Sequence, residues 1–204
     1  MEEKLYGTGG VECPVLVSGP REAPGILLLH GYSFTRRVWV ETGTLQALSA
    51  EGFRVVAPDM PYGRETACSK RTRSIDLNIL MVEAAVKAFV GKPYVLLGAS
   101  LGGKIASYYS VTREMPGGLI LVAPAIRSGD RIADKLRLLR RIPVLVMWGT
   151  RDRIVSKKVI EWIVEETGGR LIVFEGAGHP LYLDYPDRFN LLVAEFARST
   201  IGRS

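Results

Sequence analysis

Among its 204 residues the chain has only two histidines, two cysteines, one glutamine and two asparagines. Each scarcity excludes something. With only Cys13, Cys68, His30 and His179 available, the usual Cys/His spacing of a zinc cluster cannot be built, and two cysteines are too few for a disulfide scaffold. No metal is expected. The sequence also lacks long apolar runs. Stretches such as Ile26 to Leu29 and Tyr94 to Leu97 are far too short to cross a bilayer, and the start MEEKLYGTGG is acidic and polar where a signal peptide would be basic and then apolar. A soluble, cytoplasmic protein without membrane insertion is expected. The few amide side chains, set against 27 Lys+Arg, match the balance of heat-adapted proteins.

What is abundant is apolar residues and positive charge. At 47% hydrophobic, the chain can fill the core of one α/β domain, and no repeat, low-complexity tract or linker divides residues 1–204. The net charge of +6 is spread over short groups (Arg36-Arg37, Lys70-Arg71-Arg73, Arg137 to Arg141, Lys157-Lys158). No aromatics are interleaved with them for base stacking, so the charge reads as solvated surface and no nucleic-acid partner is expected.

Short Val/Ile/Leu-rich runs near Val15-Val17, Ile26-Leu29, Arg54-Ala57, Tyr94-Leu97, Leu119-Ala123, Val144-Trp148 and Leu171-Phe174 alternate with segments of helical periodicity. The helical segments lie near Val38-Ala50, Ile75-Val90, Lys104-Thr112, Arg131-Leu139, Lys157-Glu166 and Asp187-Ser199. This alternation predicts an α/β fold, a mostly parallel sheet with helices on both faces. In such sheets ligands bind beyond the carboxyl ends of the strands.

At one such end stands LLGASLGGKIA, residues 96–106. Gly98 to Lys104 fits most of a phosphate-binding loop, but Ile105 occupies the place of the hydroxyl that would hold magnesium, and Asp59 is only a loose candidate for a second magnesium ligand. Gly98-Ala99-Ser100-Leu101-Gly102 satisfies G-x-S-x-G in full, between a predicted strand and a predicted helix. That context makes Ser100 a candidate nucleophile. It needs a base. His30 ends a strand inside an apolar segment and reads as a packed, hydrogen-bonded residue, whereas His179 follows the last strand in a glycine-rich loop and is the candidate base. The orienting carboxylate is assigned to Asp152, just past Val144-Trp148. Asp184 and Asp187 lie at the entry to the last helix, where acidic residues suit the helix dipole.

The chain order Ser100, Asp152, His179 and the segments HGYS (30–33), APDMPYG (57–63), GASLGG (98–103), GTRD (149–152) and GAGH (176–179) resemble the α/β-hydrolase family. The match runs over almost the whole chain and looks like a small carboxylesterase or lysophospholipase-type member. The resemblance implies the α/β-hydrolase fold and an oxyanion hole formed by the backbone N–H groups of Tyr32 and Leu101. It further implies ester hydrolysis through an acyl-enzyme on Ser100, with no cofactor and a small-molecule acyl ester as substrate. Thioesterase, peptidase, acyltransferase or C–C hydrolase activity on the same triad stays open, as does a non-catalytic binding protein of the same fold. Ala125 to Arg141 leaves room for one helix where many relatives insert a cap, so an uncapped site is expected. Tyr32, Phe34, Tyr62, Ile126, Ile154 and Leu181 are the candidate pocket residues.

Overall fold

A computed structural model describes residues 1–201. Eight strands form one sheet: β1 (Glu2–Thr8), β2 (Val11–Ser18), β3 (Gly25–Leu29), β4 (Arg54–Pro58), β5 (Tyr94–Ala99), β6 (Gly118–Val122), β7 (Val144–Gly149) and β8 (Arg170–Phe174). Their order is β1-β2-β4-β3-β5-β6-β7-β8. β1 and β2 run antiparallel, and β3 to β8 pair in parallel.

The central strands are buried along their whole length, so they carry unbroken apolar runs and alternate between two cores. Leu27, Leu29 and Leu96 face one core, with side chains from α3 (Ile75–Phe89), α4 (Leu101–Thr112) and α5 (Lys157–Thr167). Ile26, Leu28, Val95 and Leu97 face the other, closed by α1 (Val38–Glu41), α2 (Thr44–Ala50), α6 (Leu181–Asp184) and α7 (Pro186–Ile201). The expected fold class is therefore present.

Three local features depart from the sequence reading. β1 was not foreseen, because in its run of Glu2, Glu3, Lys4, Leu5 and Tyr6 only the tyrosine is buried, as befits an edge strand. The single helix expected over 38–50 is two, broken where Gly43 takes φ 67°. The segment expected as a helix near 131–139 is a 3-10 run over Ala133–Arg141, the one regular element between β6 and β7, packed into the α3/α4/α5 core. No cap domain stands there. Cys13 and Cys68, whose pairing the sequence leaves open, are joined in a disulfide across a separation of 55 residues. Among the described residues no helix is long and apolar enough to cross a membrane.

Candidate active site

The loops that follow β3, β5, β7 and β8 converge at the carboxyl edge of the sheet. Ser100 turns the chain from β5 straight into α4, at φ 52° and ψ −114°. A non-glycine residue at positive φ costs on the order of 1–3 kcal/mol and persists only where its surroundings hold it. Here Ser100 N–H donates to Val122 O (2.8 Å), while Ser100 O accepts from Lys104 N–H (3.2 Å) and Ala125 N–H (2.9 Å). A Cβ on Gly102 would stand 2.6 Å from the carbonyl oxygens of both Leu29 and His30. The turn can therefore press against β3 only with glycine there. As the first residue of α4, Leu101 has no partner for its N–H among the described residues, and neither has the Tyr32 N–H.

The Tyr32 loop is fastened from behind. His30 is fully buried, with Nδ1 2.8 Å from Gly31 O and Nε2 accepting from Met60 N–H at 3.0 Å. It is the packed histidine expected. Burial pushes its pKa below the ordinary imidazole value, only partly offset by the Gly31 carbonyl and Asp59. The neutral ring with a free Nε2 lone pair is the form that fits. Tyr62 OH donates to His30 O (2.5 Å) and Arg64 N–H to Tyr32 O (2.7 Å). Asp59 is fully buried against Arg36, accepting from its N–H (2.7 Å) and from Nη1 (2.8 Å), so it holds this loop rather than a metal. Lys104, the lysine of the phosphate-loop pattern, ends on Asp130 Oδ1 at 2.6 Å.

The structure brings Asp152 and His179 together. His179 Nδ1 lies 2.8 Å from Asp152 Oδ2, while Asp152 Oδ1 accepts from Ile154 N–H (2.7 Å) and Val155 N–H (2.9 Å). The Asp152 side chain is fully buried. Burial opposes its ionisation, but the His179 hydrogen bond and the two backbone N–H groups outweigh burial and hold its pKa below the usual carboxylate value. An ionised Asp152 fixes the proton on Nδ1 and leaves Nε2 as the basic nitrogen. Asp184 Oδ2 instead accepts from Gly178 N–H (2.7 Å), bracing the His179 loop, and Asp187 sits in the first turn of α7.

Ser100 and His179 line one cavity of about 190 Å³. Ser100 Oγ makes no hydrogen bond among the described residues, an arrangement common in unliganded sites that tighten when substrate binds. Of the candidate pocket residues, Tyr32, Phe34 and Ile154 line this cavity. Tyr62, Ile126 and Leu181 do not; they pack into the two cores. Val122 and Tyr182 line the cavity and were not foreseen. Tyr182 follows Leu181 on the same short helix; both belong to the same core, and Tyr182, in aromatic contact with Trp39 and Phe34, also borders the cavity.

Residues 26–143 match the model of the alpha/beta hydrolase family. The rat protein named "Putative protein-lysine deacylase ABHD14B" is 31% identical, over 84% of this chain and 81% of its own. Human Protein ABHD14A is 28% identical, over 84% of this chain and 63% of its own. Among solved structures, a predicted CIB-like hydrolase from Thermoplasma acidophilum superposes with a TM-score of 0.82 at 24% identity, covering 96% of each chain. The esterase RhEst1 from Rhodococcus sp. superposes with 0.81 at 21% identity, covering 98% of this chain and all of its own. On the family match and the ABHD14B identity together, the chain belongs to the alpha/beta hydrolase family.

Proposed function

We propose that the protein is a serine hydrolase that cleaves carboxylic esters through an acyl-enzyme on Ser100. The observation that carries this reading is the cavity shared by Ser100 and a His179 whose Nδ1 sits 2.8 Å from the buried Asp152. In the first step His179 Nε2 takes the Ser100 proton as Oγ attacks the ester carbonyl. The carbonyl oxygen becomes an oxyanion held by the Tyr32 and Leu101 N–H groups, and collapse expels the alcohol with the proton from His179. Water, activated by the same nitrogen, then releases the acid and restores Ser100.

The cavity is smaller than the sites of most drug-sized ligands. About 190 Å³, bounded by Phe34, Val122 and Tyr182, is the room it offers an acyl group. The test is release of nitrophenol from p-nitrophenyl esters of graded acyl length, with wild type and Ser100→Ala side by side. Activity that disappears in Ser100→Ala supports the reading, and the chain length at which it peaks sizes the acyl pocket. No activity, and no fluorophosphonate labelling of Ser100, removes it in favour of a binding protein.

The identity with a relative named as a lysine deacylase favours one second reading, cleavage of an acyl-lysine amide by the same residues. It requires His179 to protonate an amine on departure, and acyl-lysine peptides cleaved faster than short-chain esters would select it.

A further inference from the structure

The positive charge of this molecule is not placed evenly around the cavity. Asp152 accepts two backbone N–H groups in a tight turn that carries Arg153 at the surface and sets Ile154 on the cavity wall, 71% exposed. On the other flank of Asp152, Arg151 N–H donates to Ala177 O at 2.8 Å, which seats this exposed arginine beside the His179 loop. A third exposed arginine, Arg127, follows Ala125, whose N–H holds the Ser100 carbonyl.

The carboxylates on the same loops are engaged elsewhere. Asp152 faces His179, Asp130 accepts from Lys104 Nζ (2.6 Å) and Arg127 N–H (2.8 Å), and Asp184 accepts from Gly178 N–H. Glu65 pairs with its neighbour Arg64 at 3.1 Å. Glu175 is the remaining exposed acid of these loops. Among the described residues Arg127, Arg151 and Arg153 have no carboxylate within ion-pair distance. Apart from the His179 imidazole, no basic side chain lines the cavity. The charge therefore stands outside the cavity; with the acyl group taken to fill the cavity, as the hydrolase reading has it, the departing part of the substrate faces that charge.

From this arrangement, and resting on the hydrolase reading, we propose that the preferred substrates carry a negative charge (carboxylate, phosphate or sulfonate) on the leaving-group side of the scissile bond. Guanidinium groups stay charged at any pH the protein meets and fork toward such oxyanions. The same field disfavours a lysine- and arginine-rich polypeptide at the mouth.

The probes are 4-sulfophenyl butyrate and its neutral counterpart, the butyrate ester of N,N-dimethyl-4-hydroxybenzenesulfonamide. They share the acyl group and a para-sulfonyl substituent and differ in charge. For the wild type at low ionic strength, kcat/KM for the sulfonate ester is expected to exceed that for the neutral ester about fivefold. The ratio falls toward one in about 0.5 M salt, where exposed charges more than about 4 Å apart are largely screened, and in the Arg127→Gln, Arg153→Gln double variant. A wild-type ratio at or below one, or a ratio that survives in the double variant, overturns the inference while leaving the hydrolase reading intact. Turnover of neither ester overturns this inference and, with no fluorophosphonate labelling of Ser100, removes the hydrolase reading as well.

Discussion

The Asp152 carboxylate divides its two oxygens between two tasks: one receives His179 and the other closes the turn to Ile154 and Val155. Asp152→Asn keeps the size of the group but presents an amide to Nδ1, favouring the wrong imidazole tautomer. Ester turnover is expected to fall on the order of 10⁴-fold, measured as kcat with a p-nitrophenyl ester. The same residue makes a prediction about acid. Its folded pKa lies below the ordinary carboxylate value, so its contribution to stability is complete above that ordinary value and is lost as pH falls through the lowered one. Urea midpoints between pH 6 and about pH 3 should fall less steeply for Asp152→Asn than for wild type. At this scale the sequence was legible wherever position along a strand decided the matter: His30 inside an apolar run is packed, and His179 beyond one is at the cavity. It was not legible for Tyr62, Ile126 and Leu181, since a large apolar side chain near a strand end has the same hydropathy whether it meets a ligand or the core.

Between residues and the fold stands the contact of the β5–α4 turn with the end of β3. Gly102 lies against the Leu29 and His30 carbonyls, and two residues further along that strand's exit is Tyr32. Any atom added at position 102 pushes β3 away from α4 and so moves the Tyr32 N–H relative to the Leu101 N–H. Gly102→Ala should cost about 1–3 kcal/mol by overpacking, read from a urea midpoint. On the proposed oxyanion role of the Tyr32 N–H, it should also lower kcat on the order of 100-fold, a loss larger than any unfolded fraction explains. His30→Ala tests the fastening behind the same loop. It leaves the buried Met60 N–H without its acceptor, which costs about 1–3 kcal/mol and should appear in the same denaturation experiment. The elements that carry this contact were readable because buried parallel strands and long amphipathic helices write strong patterns. β1, the break at Gly43 and the 3-10 run were not, because each is set by edge exposure or by local backbone geometry that hydropathy does not record.

At the scale of the molecule, the Cys13–Cys68 disulfide connects β2 to the segment that leaves β4 and leads to α3. The connection is reinforced by Ser69 N–H donating to Glu12 O (2.7 Å) and Glu12 N–H to Ser69 Oγ (2.9 Å). Nothing in a count of two cysteines reveals such a pairing, since it depends on the antiparallel β2 lying beside β4, a long-range contact with no periodic signature. The tether matters to the site because the same segment supplies Met60 N–H to His30 and Arg64 N–H to Tyr32 O. Closing a loop across 55 residues stabilises the fold by about 4 kcal/mol in the chain-entropy account, which for a chain of this length corresponds to on the order of 10 °C in thermal midpoint. Reduction, or Cys68→Ser, should lower the midpoint by that amount, measured by calorimetry with and without reductant. Because the segment keeps its backbone hydrogen bonds, activity well below the midpoint should persist in the reduced protein. An equal midpoint in both redox states would mean that those hydrogen bonds and the buried Arg36–Asp59 pair hold the segment without the cross-link.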